Sequence, residues 1–235
     1  TIISRGFILV SIMALLVGCG KSTGRTLTSA TGSIYECLVV MNEEPLTQEQ
    51  LNTVAKLSLV NEASGYTEPV TTTYDLVEAI MSADMPCMPQ VEPYFRLTQV
   101  ATAQFDDMFK PTRNILFIDI NPQKYTQLKT KVSNDYWSTP QAICRIQTPS
   151  QEEFVSYWLE HGEEVRDWFV NQEIKRQMKF YRASTNKEAR AILQQEGYDM
   201  LIPEDYMVIM DTILGGATTY SLRNPITVVP EVRLL

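Results

Sequence analysis

The chain has 235 residues, 44% of them hydrophobic and 20% charged, with a formal net charge of −8 and one histidine. That composition supports a packed domain of ordinary size and excludes a disordered chain. An acidic chain without aromatic–basic interleaving is a poor nucleic-acid binder, and the cysteine spacings match no zinc pattern, so nucleic acid, metal and cofactor are not expected.

The first informative stretch is LLVGCGKSTGR, residues 15–25. A phosphate loop needs a glycine five residues before the Gly-Lys-Ser, where this chain has Leu15, and a helix behind it to face the anion. Ser22 leads instead into a run of loop formers, so no nucleotide is expected. The alternative is an export signal over residues 1–18, with Arg5 as its positive end and the uncharged stretch Phe7 to Val17 as its apolar part. That stretch is shorter than the roughly 20 residues of a spanning helix. Leu16-Val17-Gly18-Cys19 then resembles a bacterial lipobox, which makes Cys19 the lipid-attachment residue. Residues 19–33 are the lipidated cysteine and a Ser/Thr/Gly-rich tether, reaching roughly 20 Å as a random coil. Gly20 is not the aspartate that retains many lipoproteins at the inner membrane, so the periplasmic face of the outer membrane is the expected address. The chain begins with Thr, and the signal is expected to extend upstream.

An α+β domain is expected over residues 34–210. SIYECLVVM (33–41) is apolar on both faces, as a central strand is. Residues 45–60 read as a helix with Thr47 and Gln50 in capping-box spacing, and 73–83 as a second with Thr72 and Asp75. Pro86, Pro89 and Pro93 force an extended connection before a strand over 94–100. NILFIDI (114–120) is a buried strand closed by Asn121-Pro122. Strands over 131–137 and 141–148 come next, with Ala142, Cys144 and Ile146 on an apolar face. Ser150 and Glu153 open a long helix to about 183, with Phe154, Trp158, Val165, Trp168 and Phe169 as its stripe and Gly162 as a point of kinking or division. A helix over 186–196 has Thr185 and Glu188 in capping spacing and stops at Gly197. YDMLIP reads as a short strand. Residues 211–235 have no assignment beyond a strand signal in PITVVPEVRLL. The order implies a mixed sheet of about five strands with helices mainly on one face.

DMPCMPQVEPYF, RNILFIDI, YWSTPQAICRIQTPSQEEF and EGYDMLIPEDY, in this order, resemble the envelope lipoproteins of domain of unknown function 4837. The resemblance spans roughly residues 34–206 and implies a lipoprotein signal, but no chemistry. It departs at Cys87, where glycine is expected, and at Lys175, where asparagine is expected before an Arg-Gln pair. It also implies a C-terminal segment beyond residue 235.

Several side chains are candidates for function. Lys175, Lys179 and Arg182 form an i, i+4, i+7 basic stripe, with Arg176 beside it and Lys187 and Arg190 beyond. On an acidic chain, this stripe is the candidate surface for an anionic glycan or an acidic envelope partner, or a solvated face matched to the helix dipole. His161, on the apolar side of the long helix, is expected to be a partly buried residue at a helix break. Asp119, ahead of Asn-Pro, is either a turn cap or a catalytic acid. Glu163 and Asp167 are either an exposed like-charge pair or cation ligands. Cys37, Cys87 and Cys144 are expected as small buried hydrophobes. No catalytic constellation assembles from these residues. The expected protein is a membrane-tethered, non-enzymatic binding or assembly module, and the alternative is an envelope hydrolase using paired carboxylates.

Overall fold

The computed structural model describes residues 26–61, 66–195, 197–214, 217–223 and 232–234; the expected signal peptide and Cys19 lie outside them, whereas the end of the expected tether is part of the fold, with Thr28 and Ser29 paired to Ser138 and Thr139 and Thr31 bridged to Thr112. Its strands are β1 (Thr28–Ser29), β2 (Glu36–Val40), β3 (Ser58–Asn61), β4 (Tyr66–Pro69), β5 (Arg96–Val100), β6 (Asn114–Ile120), β7 (Lys129–Asn134), β8 (Ser138–Thr139), β9 (Ala142–Thr148), β10 (Met207–Leu214), β11 (Ala217–Arg223) and β12 (Val232–Leu234). The helices are α1 (Gln48–Val54), α2 (Thr73–Met81), α3 (Gln151–Ala183) and α4 (Lys187–Gln195).

The main sheet has five strands in the order β5-β2-β6-β9-β7. The first four run parallel, and β7 closes the edge antiparallel to β9. The composition of each strand fits its place. ECLVV and AICRIQT are almost wholly buried, as interior parallel strands must be, whereas KTKVSN is exposed and carries edge lysines that discourage further pairing. The expected α+β class, a mixed sheet with helices on one face, is the fold observed.

Alternation of side chains divides the sheet into two cores. Cys37, Val39, Met41, Leu116, Ile118, Cys144 and Ile146 face α2 and α3 and pack on Leu76, Met81, Phe154, Trp158 and Phe169. Leu38, Val40, Ile115 and Ile143 point the other way, under Phe105, Phe109 and Trp137 from the loops. Each large side chain withdrawn from water contributes about 1.5–3 kcal/mol. Trp158 also donates its indole N–H to the Leu76 carbonyl at 3.1 Å, fixing α3 against α2.

Three expectations need correction in the helices. Both capping boxes are present, Thr47 with Gln50 and Thr72 with Asp75. However, α1 stops at Val54, and residues 58–61 pair antiparallel with 66–69; strand pairing there overrides the helical spacing of the apolar residues. Helix α3 is continuous through Gly162. This glycine is buried, and a Cβ there would stand 2.9 Å from Ile80 Cδ1; its lack of a side chain lets α2 approach α3. Helix α4 takes its cap from Asn186, whose side chain accepts the Ala189 N–H, while the Thr185 hydroxyl turns back to the Tyr181 carbonyl.

Beyond α4, YDMLIP is not a strand; Pro203 makes one isolated bridge to Thr185. Strands β10, β11 and β12 form a separate antiparallel sheet in that order. Among the described residues, no helix is long and apolar enough to cross a membrane.

Candidate functional site

Helix α3 sets the geometry. It starts at the Ser150 cap, directly after β9, and runs back across the sheet. Its 33 residues extend about 50 Å, against about 23 Å for the seven residues of β6. The C-terminal part of the helix therefore overhangs the edge where the parallel strands begin.

At the point of departure, Glu173 is fully buried. Its carboxylate accepts from Arg113 Nε at 2.8 Å, Arg113 Nη2 at 2.6 Å, Asn114 Nδ2 at 2.7 Å and Arg176 Nη1 at 2.8 Å. Asn114 completes the cluster by donating to the Glu36 carbonyl and accepting from Arg176 Nη1, both at 2.8 Å. Burial opposes ionisation of Glu173. The hydrogen bonds from Arg113 and Asn114, together with the charge of Arg176, outweigh it and hold the carboxyl below the usual glutamate range. The cluster clamps α3 to the first residues of β6 and the last of the strand-entry loop. A buried charge stays tolerable only when its partners satisfy it in this way.

Beside the clamp lies a cavity of about 370 Å³, lined by Ile34, Arg113, Pro140, Arg176, Gln177, Phe180 and Tyr181. A second cavity at the same sheet edge, of about 770 Å³, shares Ile34 and is mainly acidic, with Glu78, Asp84 and Glu92 against Arg96 in its lining. Burial, reinforced by Asp75 and Glu68, raises the Glu78 carboxyl.

The basic stripe occupies the overhang. Lys175, Lys179 and Arg182 are all exposed. Lys175 and Lys179 make no ion pair among the described residues, and the field of Arg182 acts on Asp199. The wider basic surface expected from sequence is smaller than the residue types suggest. Arg176 turns inward to Glu173, and Arg190 is held bidentate by Asp199 at 2.7 and 3.0 Å. Next to Lys175 and Lys179 along the helix stand apolar side chains in solvent: Ile174 is 45% exposed, Met178 39% and Phe180 67%.

The other candidates are dispersed. Asp119 does not cap its turn through backbone N–H groups; it accepts from Lys124 Nζ at 2.7 Å and from the Tyr125 hydroxyl. Partial burial would raise its carboxyl, but those two bonds hold it low. His161 sits within an unbroken helix, 3.1 Å from Glu164. Glu163 and Asp167 are bridged by Arg166, at 3.9 and 3.0 Å, rather than left to repel. Among the described residues, no group of three or more His, Cys, Asp or Glu could hold a metal ion. Cys37 and Cys144 are buried free thiols, and burial pushes the Cys144 thiol up to about 12 and that of Cys37 higher. Cys87 is exposed at φ +66°, contrary to the buried expectation. Its left-handed backbone is the conformation glycine adopts most readily, which accounts for the glycine expected there.

Sequence reasoning missed Glu173 as the centre of the clamp. A signal was present. Phe154, Trp158, Val165 and Phe169 form the buried stripe, and Glu173 falls one step further at i+4 from Phe169. A carboxylate on the buried face of a helix calls for a cationic partner.

Fold and site together define a mixed α+β domain whose longest helix is clamped at the sheet edge and continues beyond it. The chain belongs to the family described as Domain of unknown function (DUF8532), whose model matches residues 50–182. That span holds Arg113, Asn114, Glu173, Arg176 and the basic stripe. No curated protein and no solved structure matches the chain. The match makes it a member of an uncharacterised family, as the motif order implied, but under a different number from 4837.

Proposed function

We propose that the protein is a non-enzymatic binding module of the bacterial cell envelope, lipid-anchored through Cys19 at the periplasmic face of the outer membrane. Its binding surface is the overhang of α3, and its partner is an acidic envelope protein or an anionic glycan. The observation that carries this reading is that Lys175 and Lys179 project from the overhang without ion-pair partners among the described residues, next to exposed Ile174, Met178 and Phe180. Cations interleaved with apolar side chains suit a partner that is both acidic and partly apolar. The macrodipole accounts for basic residues at a helix C-terminus, but not for the exposed apolar residues beside them. The finer kinship to domain of unknown function 4837, with its lipoprotein signals, belongs to the same proposal.

The test is cross-linking and affinity capture from envelope membranes, comparing the native chain with Lys175→Glu/Lys179→Glu/Arg182→Glu. The triple reversal is expected to lose the captured partner. Native capture is also expected to weaken as salt shortens the screening length from ~10 Å at 0.1 M to ~3 Å at 1 M. Capture unchanged by the reversal removes the stripe from the function.

A further inference from the structure

We infer that the cavity over Arg113 and Arg176 is a binding site for a small amphipathic carboxylate, a monoanion with an apolar body of about seven to nine carbons. The site is separate from the basic stripe, because Lys175, Lys179 and Arg182 do not line the cavity.

Charge balance selects the ligand's charge. Two guanidiniums converge on one buried carboxylate, leaving one positive charge in excess within the cluster. Asp135 also acts on Arg176, more weakly than Glu173 does. A single excess charge, weakened but not cancelled by Asp135, matches a monoanion better than a phosphate dianion. The side chains of Arg113 and Arg176 are only 18% and 11% exposed, so water satisfies little of what they leave unpaired.

Open donors select the headgroup. Arg113 gives Nε and Nη2 to Glu173, and its Nη1 has no partner among the described residues. Arg176 uses Nη1 and Nη2 towards Glu173, Asn114 and the Arg113 carbonyl, leaving Nε in the same position. Guanidinium groups are planar forks suited to carboxylate oxygens, and Glu173 already holds both in fixed orientation. Such preorganisation lowers the cost of binding.

The walls set the body of the ligand. Ile34, Pro140, Phe180 and Tyr181 supply apolar surface, and Phe180 is 67% exposed at the rim. About 370 Å³ is at the small end of ligand pockets. It equals roughly a dozen waters at ~30 Å³ each, which sets the ligand at about ten to twelve non-hydrogen atoms. The carboxylate would meet the open N–H groups of Arg113 and Arg176, and the chain would cover Ile34 and Phe180.

The experiment is isothermal titration of the full chain with octanoate, octanol and inorganic phosphate in parallel. Saturable octanoate binding is expected, at least tenfold tighter than octanol and with no saturation by phosphate. Gln177→Glu places a negative charge on the cavity wall at a residue that makes none of the clamp's hydrogen bonds, and is expected to weaken octanoate at least tenfold. Phe180→Ser, a change at an exposed position, is expected to weaken it several-fold and serves if the first variant fails to fold. Octanoate that fails to bind, that binds no better than octanol, or that binds both variants as well as the native chain overturns the assignment.

Discussion

Glu173→Gln keeps the shape of the clamp and removes its negative charge. The native carboxylate is fully buried, and the two guanidiniums that contact it are 18% and 11% exposed. Removing one member of a buried ionic cluster costs about 3–5 kcal/mol, because the partners stay desolvated and unpaired. Glutamine retains one acceptor and the arginines keep slight access to water, so the lower end, about 3 kcal/mol, is expected here. For a domain of 150–250 residues this lowers Tm by about 6–12 °C. The dependence on pH has a definite sign. Glu173 is held below its ordinary range in the folded state, so the unfolded chain takes up its proton first as pH falls. The stabilisation is full above the unfolded pKa and is lost as pH falls through the folded one. Urea unfolding followed by helical circular dichroism, at neutral pH and through the acid range, measures both effects. The gap between native and variant should narrow in acid. A loss below about 1 kcal/mol at neutral pH, or a gap that stays constant into acid, would refute the account of the clamp.

The helix layer gives two further expected outcomes. Gly162→Leu puts a side chain where a Cβ alone would stand 2.9 Å from Ile80 Cδ1; overpacking of this kind costs about 1–3 kcal/mol, and a lower urea midpoint with unchanged slope is expected. Thr72→Ala removes the hydroxyl that accepts the Asp75 N–H. It should cost about 1 kcal/mol, measurable in the same unfolding experiment.

What the sequence made legible is local. NILFIDI coincides with β6, because an apolar run closed by Asn-Pro leaves little alternative. Thr47–Gln50 and Thr72–Asp75 are true capping boxes, since the motif and the structure it stabilises span the same four residues. Where local signals compete, they misled. Residues 58–61 continue a helical spacing but pair as a strand with 66–69, a partner that periodicity does not identify. Gly162 carries the composition of a kink but serves a contact with Ile80 that is remote in sequence. The site was half legible. Lys175, Lys179 and Arg182 stand exposed as their spacing implies, whereas Arg176 and Arg190, equally basic in sequence, are occupied by Glu173 and Asp199. The direction in which an arginine turns depends on carboxylates placed by the fold. For Arg176, the buried position of Glu173 on the α3 stripe decides it.

The central claim is that acyl chains on Cys19 hold this domain at a membrane. Metabolic labelling of the full-length gene product with radioactive palmitate, alongside Cys19→Ser, tests it most directly. The account predicts a labelled native protein in the membrane fraction and an unlabelled variant. A native protein that takes up no label and fractionates with the cytosol would contradict it.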